Sequence, residues 1–191
     1  MSKLYIFAAI FLFWAALVAS LVQVQLLALP MHAQKFGAGR AATADEVKAA
    51  DIGILIDGTG LPAGKGTAAE GKEVFSRRCA KCHGAKAEGG DEAPLVGGKG
   101  TLTTPKPLKT IGSFWPYSTT LFDYINRAMP FNQPGILTPD QVYSVSAFLL
   151  HLNGIIQEND VMDAKSLPKV KMPNREGFVK DPRPDTKKRS K

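Results

Sequence analysis

The stretch Cys79-Ala80-Lys81-Cys82-His83 constrains this chain more than any other, because its cysteines are the only 2 in 191 residues and a histidine directly follows the second. Four chemistries compete for such a pattern. A disulfide across two intervening residues is strained and closes too small a loop to stabilise much. A thiol redox pair of the thioredoxin kind belongs in a βαβ context. Zinc wants four ligands; Cys79, Cys82 and His83 leave one missing, and His83 sits too close to Cys82 for a good tetrahedral shell. The fourth is covalent attachment of haem, for which C-x-x-C-H is the signature.

The N-terminus bears on the choice. Lys3 precedes a nearly unbroken apolar run from Leu4 to Val22, with small residues at Ser20 and Ala33 and a proline at Pro30. That is the layout of a secretory leader, so residues 1–33 are expected to be a signal peptide cleaved just after Ala33. A run of about 20 apolar residues also suffices to cross a bilayer, which makes retention as an N-terminal anchor the alternative. Either way the remainder is expected in the periplasm, an oxidising compartment.

The formal net charge of +7 is concentrated at one end. Residues 34–164 are almost balanced, whereas residues 165–191 hold ten basic and three acidic side chains. A basic tail can steer an acidic partner through a salt-sensitive attraction, or serve solubility alone. It has no basic face of the kind nucleic acid requires, and membrane association is expected only if the leader is retained.

Gly, Ala and Pro dominate residues 34–66, with one short apolar run at Ile52–Ile56, and the segment reads as an extended arm. A compact domain is expected over 67–154 and a basic extension over 155–191. Thr67 and Glu70 form a capping box for a helix that runs on into the cysteine motif. Residues 84–113 show no helical period. A loop that long inside a compact domain must pack on something large. A second helix starts at Ser118 or Thr119 as N-cap, has Leu121, Phe122, Ile125 and Ala128 as its apolar side, and stops at Pro130. Thr138, Pro139 and Gln141 open a third, with Val142, Val145, Phe148, Leu149 and Leu152 as its buried stripe and Asn153-Gly154 at its end. Gly71 and Phe75 lie one turn apart, where the third helix could cross closely against Phe148. The fold class is all-α: three main helices, with no sustained strand alternation.

An all-α context removes the thioredoxin reading, and the long loop gains a reason if it wraps a haem. Cys79 and Cys82, about one helical turn apart, can add to two neighbouring vinyl groups, and His83 then falls beneath the iron as proximal ligand. The candidates for a sixth ligand are Met129, Met162, Met172 and His151. Met129 is favoured because Pro130 breaks the helix there and turns the thioether out of it. Met162 and Met172 lie near or in the polar tail, and a lone helical histidine is more often a charge partner than a ligand. His/Met ligation leaves no open coordination site and suits electron transfer. Around the iron, the Pro94 carbonyl could accept from His83 Nδ1. Trp115 and Tyr117 carry donors that could meet haem carboxylates, or could simply anchor the core.

These residues resemble the class I cytochromes c over roughly 67–154: C-x-x-C-H, a proline about a dozen residues on, a late methionine before proline, and a terminal helix. A narrower resemblance rests on "KFGAGRAATADEV", "DGTGLPAGKGT", "GSFWPYSTTLFDYINRAMPFNQPG" and "ENDVMDAKSLPKVKMPNREGF". They look like the cytochrome subunit of the sulfane dehydrogenase of the periplasmic thiosulfate-oxidising system. The resemblance implies one covalent haem c on Cys79 and Cys82, with His83 and Met129 as axial ligands. It also implies a molybdenum-cofactor dehydrogenase subunit as electron donor and a downstream c-type cytochrome as acceptor. Well-known members carry two haem domains and this chain resembles the first only, so a sulfite-oxidising molybdenum enzyme, whose cytochrome has one haem, is the alternative partner. A free-standing shuttle is another. A peroxidase or thiol oxidoreductase would need an open iron or accessible thiols, and a haem sensor a displaceable Met129 and a signalling domain.

Overall fold

The computed structural model describes residues 39–183. The expected leader at 1–33 and the basic stretch 184–191 lie outside the described residues.

Five α-helices carry the described chain: α1 (Ala44–Ala50), α2 (Ala68–Arg78), α3 (Ala80–His83), α4 (Ser118–Ala128) and α5 (Pro139–Leu152). Short 3-10 turns at Thr101–Thr103 and Leu167–Lys169 add to them. The strands are β1 (Lys65–Gly66) and β2 (Met162–Asp163), which pair antiparallel with Lys65 opposite Asp163.

Helix α2 begins as its capping box dictates. Glu70 N–H donates to Thr67 Oγ1 at 3.4 Å, and Thr67 N–H to Glu70 Oε2 at 2.8 Å. Its buried face is Ala68, Gly71, Val74 and Phe75. That face meets α5 so closely that a Cβ on Gly71 would sit 1.8 Å from the Ser144 carbonyl oxygen and 2.8 Å from Phe148 Cβ. Only a residue without a side chain permits this crossing. The Phe75 and Phe148 rings pack beside it with centroids 5.3 Å apart.

Helix α5 starts on the Thr138–Gln141 box with Pro139 at its first position. It differs from the stripe expected of it. Val142 through Leu150 are all buried, whereas Leu152 is exposed at the helix end. A helix buried all round is covered on every side, and here α2, α4, β1 and β2 all contact it. Tyr143, wholly buried, stacks on Phe122 of α4 at 4.5 Å and donates its hydroxyl to the Pro62 carbonyl at 2.9 Å.

Three further corrections concern the arm, the start of α4 and the extension. The arm is not extended throughout: α1 forms where Ala-rich sequence carries Asp45 and Glu46 in the first turn and Lys48 in the last, the charge order a helix dipole favours. Ser118 and Thr119 do not cap α4; its N-cap is Tyr117, with no side-chain cap bond. Both hydroxyls instead hold other segments, Ser118 donating to Leu167 O at 2.6 Å and Thr119 to Ile56 O at 3.4 Å. The basic extension is more than a solvated tail, because Met162, Leu167, Val170 and Met172 are core residues. Those four are too sparse among lysines and prolines to show a period, so only tertiary contact reveals them.

The arm is tied down by Ile54 N–H donating to Asp123 Oδ1 at 3.2 Å and by Lys65 N–H donating to Asp140 Oδ1 at 2.8 Å. Asp123 is itself buried and paired with Arg127, whose Nε donates to it at 2.9 Å.

Candidate functional site

Helix α2 does not run through the cysteine motif. It stops at Arg78, and Cys79 (φ −123°, ψ −35°) forms the joint to the single turn of α3. Cys82 and His83 N–H both donate to Cys79 O, at 3.1 and 3.0 Å, so the two sulfurs and the imidazole are fixed on one tight turn. Gly84 (φ +80°) then releases the chain.

The following loop folds back over that turn. Gly89 N–H donates to His83 O at 2.9 Å, Glu92 N–H to Cys82 O at 3.0 Å, and Leu95 N–H to Ala87 O at 2.9 Å. The result brings the Ala93 carbonyl to 3.3 Å from His83 Nδ1. The acceptor is therefore Ala93 rather than Pro94, one residue earlier than the sequence suggests. Carbonyl register along a loop depends on its turns, which a proline alone does not specify. With Nδ1 engaged by a carbonyl, the imidazole's Nε2 is the nitrogen left for a metal.

Asn153, beyond the end of α5, steadies the loop by donating to Leu95 O at 3.2 Å while also donating to Leu149 O at 2.8 Å. Sequence reasoning sees Asn153 only as a helix terminator. Further along, Thr110 Oγ1 donates to Gly97 O at 2.6 Å and Ser113 Oγ to Leu108 O at 2.6 Å, so hydroxyls rather than secondary structure shape residues 97–113.

No disulfide joins Cys79 and Cys82. Burial, and secondarily the neighbouring Cys82, push the Cys79 thiol up to about 11. A redox-active thiol needs the opposite shift, so a thioredoxin-like role finds no support here. Among the described residues no group of three or more His, Cys, Asp or Glu side chains comes together as a metal cluster.

Met129 follows the last residue of α4 in extended conformation (φ −122°, ψ 146°), before a cis Met129–Pro130 bond. Met129, Cys79, Leu95, Val96 and Trp115 are each half-buried and packed against the hydrophobic core. Trp115 meets Tyr124 edge-on at 5.7 Å, and Tyr117 lies under the Arg175 guanidinium at 4.9 Å. Met162 and Met172 are spent in the core, and His151 is in the last turn of α5 with a buried Nδ1 that has no hydrogen-bond partner among the described residues. Two unbridged cysteines on one turn, an imidazole held at Nδ1, and a half-buried methionine and apolar residues fit a covalent haem.

The comparisons agree with that chemistry. The cytochrome c family matches residues 68–153. The crystal structure of the sulfane dehydrogenase SoxCD from Paracoccus pantotrophus is similar at 44% identity and a TM-score of 0.72, covering 80% of this chain and 76% of that one. This chain belongs to the cytochrome c family. Its fold is the all-α class I cytochrome c fold, and its cofactor is haem c, covalently bound. As a c-type cytochrome it serves electron transfer. No match was found among curated proteins.

Proposed function

We propose that this cytochrome is the mono-haem electron-transfer subunit of a periplasmic sulfur-compound dehydrogenase of the sulfane dehydrogenase type. Cys79 and Cys82 hold the haem by thioether bonds, His83 is the proximal ligand and Met129 the distal one. His83 is oriented through Nδ1 by the Ala93 carbonyl, and the apolar lining of Leu95, Val96 and Trp115 keeps water from the iron. With His83 and Met129 as its ligands, a bound haem c would supply one-electron redox chemistry. The donor is the catalytic subunit, for which the family resemblance implies a molybdenum cofactor, and the acceptor is a further c-type cytochrome.

The observation that carries this reading is the extent of the likeness to SoxCD. It covers four-fifths of the chain, well beyond the 68–153 stretch common to cytochromes c. The similarity therefore reaches into the arm or the extension, segments that a general electron shuttle has no need to share.

The test is a pull-down of the mature protein from its own periplasm, followed by molybdenum analysis of the captured material. Molybdenum should co-purify, and a carrier loaded with sulfane sulfur should then reduce the haem. Reduction by sulfite alone would assign the protein to a sulfite dehydrogenase. Capture without molybdenum, and no reduction by either compound, would leave a free-standing shuttle.

A further inference from the structure

Helix α4 ends where Met129 begins, so whatever fixes α4 fixes Met129. Met129 N–H still donates to Ile125 O at 3.1 Å, but Met129 itself is extended and the following Pro130 has no N–H to give. Gln133 N–H closes the next turn on Pro130 O at 2.8 Å. The N-cap of α4, Tyr117, makes no side-chain cap bond. The helix is held instead by side chains further along.

Thr119, Asp123 and Arg127 recur every fourth residue and so form one row along α4. Thr119 Oγ1 donates to Ile56 O at 3.4 Å, and Asp123 Oδ1 accepts from Ile54 N–H at 3.2 Å. Asp123 also accepts from Arg127, at Oδ1 from Nε at 2.9 Å and at Oδ2 from Nη2. The row therefore ties the arm at two points and ends two residues before Met129. A buried carboxylate is costly unless its oxygens are satisfied, and Asp123 is buried with both oxygens engaged. Apolar burial does less here, because Ile52, Leu55 and Ile56 are exposed and only Ile54 of that run packs against the core.

We propose that Asp123 is a positioning residue for the distal ligand: by joining the arm at Ile54 to Arg127 in the last turn of α4, it fixes the helix end from which Met129 reaches the iron. A metal ligand must be held to within about 0.5 Å of its productive place, and the groups bonded behind it set that tolerance. The arm is then a splint on α4, and it governs how readily an external ligand displaces Met129. With the splint loosened, conformers with Met129 off the iron become more populated, and the apparent affinity for a competing ligand rises with that population. This inference rests on the reading of Met129 as the distal ligand.

The test uses the full holoprotein with Asp123→Ala, Asp123→Asn, Thr119→Val and Met129→Ala. The pyridine haemochrome spectrum first establishes covalent haem, and thermal melting establishes folding. The probe is imidazole, titrated onto the ferric protein while the methionine–iron charge-transfer band is followed. Asp123→Ala should bind imidazole roughly three- to tenfold more tightly, the range for losing hydrogen bonds of this kind. Asp123→Asn keeps an oxygen for Ile54 and should shift less, and Thr119→Val should move the same way more weakly. In a Met129→Ala background Asp123→Ala should add nothing, because the ligand it positions is gone. An equal gain in that background would overturn the proposal, since Asp123 would then act on the haem pocket without Met129. Unchanged imidazole affinity in Asp123→Ala and Thr119→Val, whatever their melting temperatures, would also overturn it and leave Asp123 a purely structural residue. If Asp123→Ala does not fold, Asp123→Asn and Thr119→Val decide by the same criterion. A wild-type spectrum without the methionine–iron band would instead sink the Met129 reading and this inference with it.

Discussion

The crossing of α2 on α5 and the loop over residues 84–113 both border the Cys79–His83 turn, yet different physics builds them. At the crossing, Gly71 lets backbone meet backbone, Phe75, Tyr143 and Phe148 fill the seam, and α5 is buried all round from Val142 to Leu150. That region closes on itself. The loop has one 3-10 turn, is held by hydroxyl and carbonyl bonds, and leaves Leu95 and Val96 half-buried with Leu108 exposed. Ala87 and Ile111 are buried in the core, but Leu95 and Val96 touch it without being covered by it. A region that closes on itself carries the stability, and a region left open marks where the large ligand belongs.

The sharpest way to break this contrast is Gly71→Val. Its Cβ has no space beside Ser144 O, so the helices must separate, and unfolding stability should fall by about 3 kcal/mol or more. A denaturant midpoint close to wild type would mean the crossing is not the stabilising centre. Leu167→Ala comes next. Leu167 is fully buried, so truncation should cost about 2–5 kcal/mol although the residue lies in the basic extension. A loss below about 0.5 kcal/mol, the range of surface substitutions, would return that segment to the status of a tail.

Native-state hydrogen exchange sharpens the comparison without mutation. Amides of α2 and α5 should exchange only through global unfolding, and those of residues 84–113 through smaller openings. Equal protection in both regions would erase the distinction. Met129→Ala should act on the open side alone. It should leave the haem attached, lower the potential and admit external ligands to the iron. A wild-type spectrum and potential would show that Met129 is not the distal ligand.

The smallest effect belongs to Tyr143. Burial, and then Asp163, push its phenol up to about 12, so the folded state holds that proton more tightly than the unfolded chain, where the ordinary value is 10. Its contribution is complete below pH 10 and is lost as pH climbs toward 12. Tyr143→Phe should cost about 1 kcal/mol at neutral pH, from the lost bond to Pro62, and should flatten the alkaline decline. An alkaline midpoint identical in mutant and wild type would locate the titrating group elsewhere.

The parts legible in sequence are those governed by neighbours along the chain. Capping boxes at Thr67 and Thr138 reach three residues, Pro130 stops α4 at its own door, and Cys79-x-x-Cys82-His83 states its chemistry within one turn. Such interactions need no partner from far away, so local order displays them. The Gly71 crossing was legible too, because a lone glycine on a buried helix face has few other uses. What the tertiary structure alone decided involves distant partners. It turned Ser118 and Thr119 from caps into anchors for the extension and the arm, and gave the histidine contact to Ala93 instead of Pro94. It drew Met162, Leu167, Val170 and Met172 out of a basic, proline-bearing segment into the core, and set Arg175 over Tyr117. Each of these joins a side chain or a carbonyl to a residue dozens of positions away or across a turn. Composition and periodicity record what a segment is, whereas those contacts depend on where the packed helices leave room.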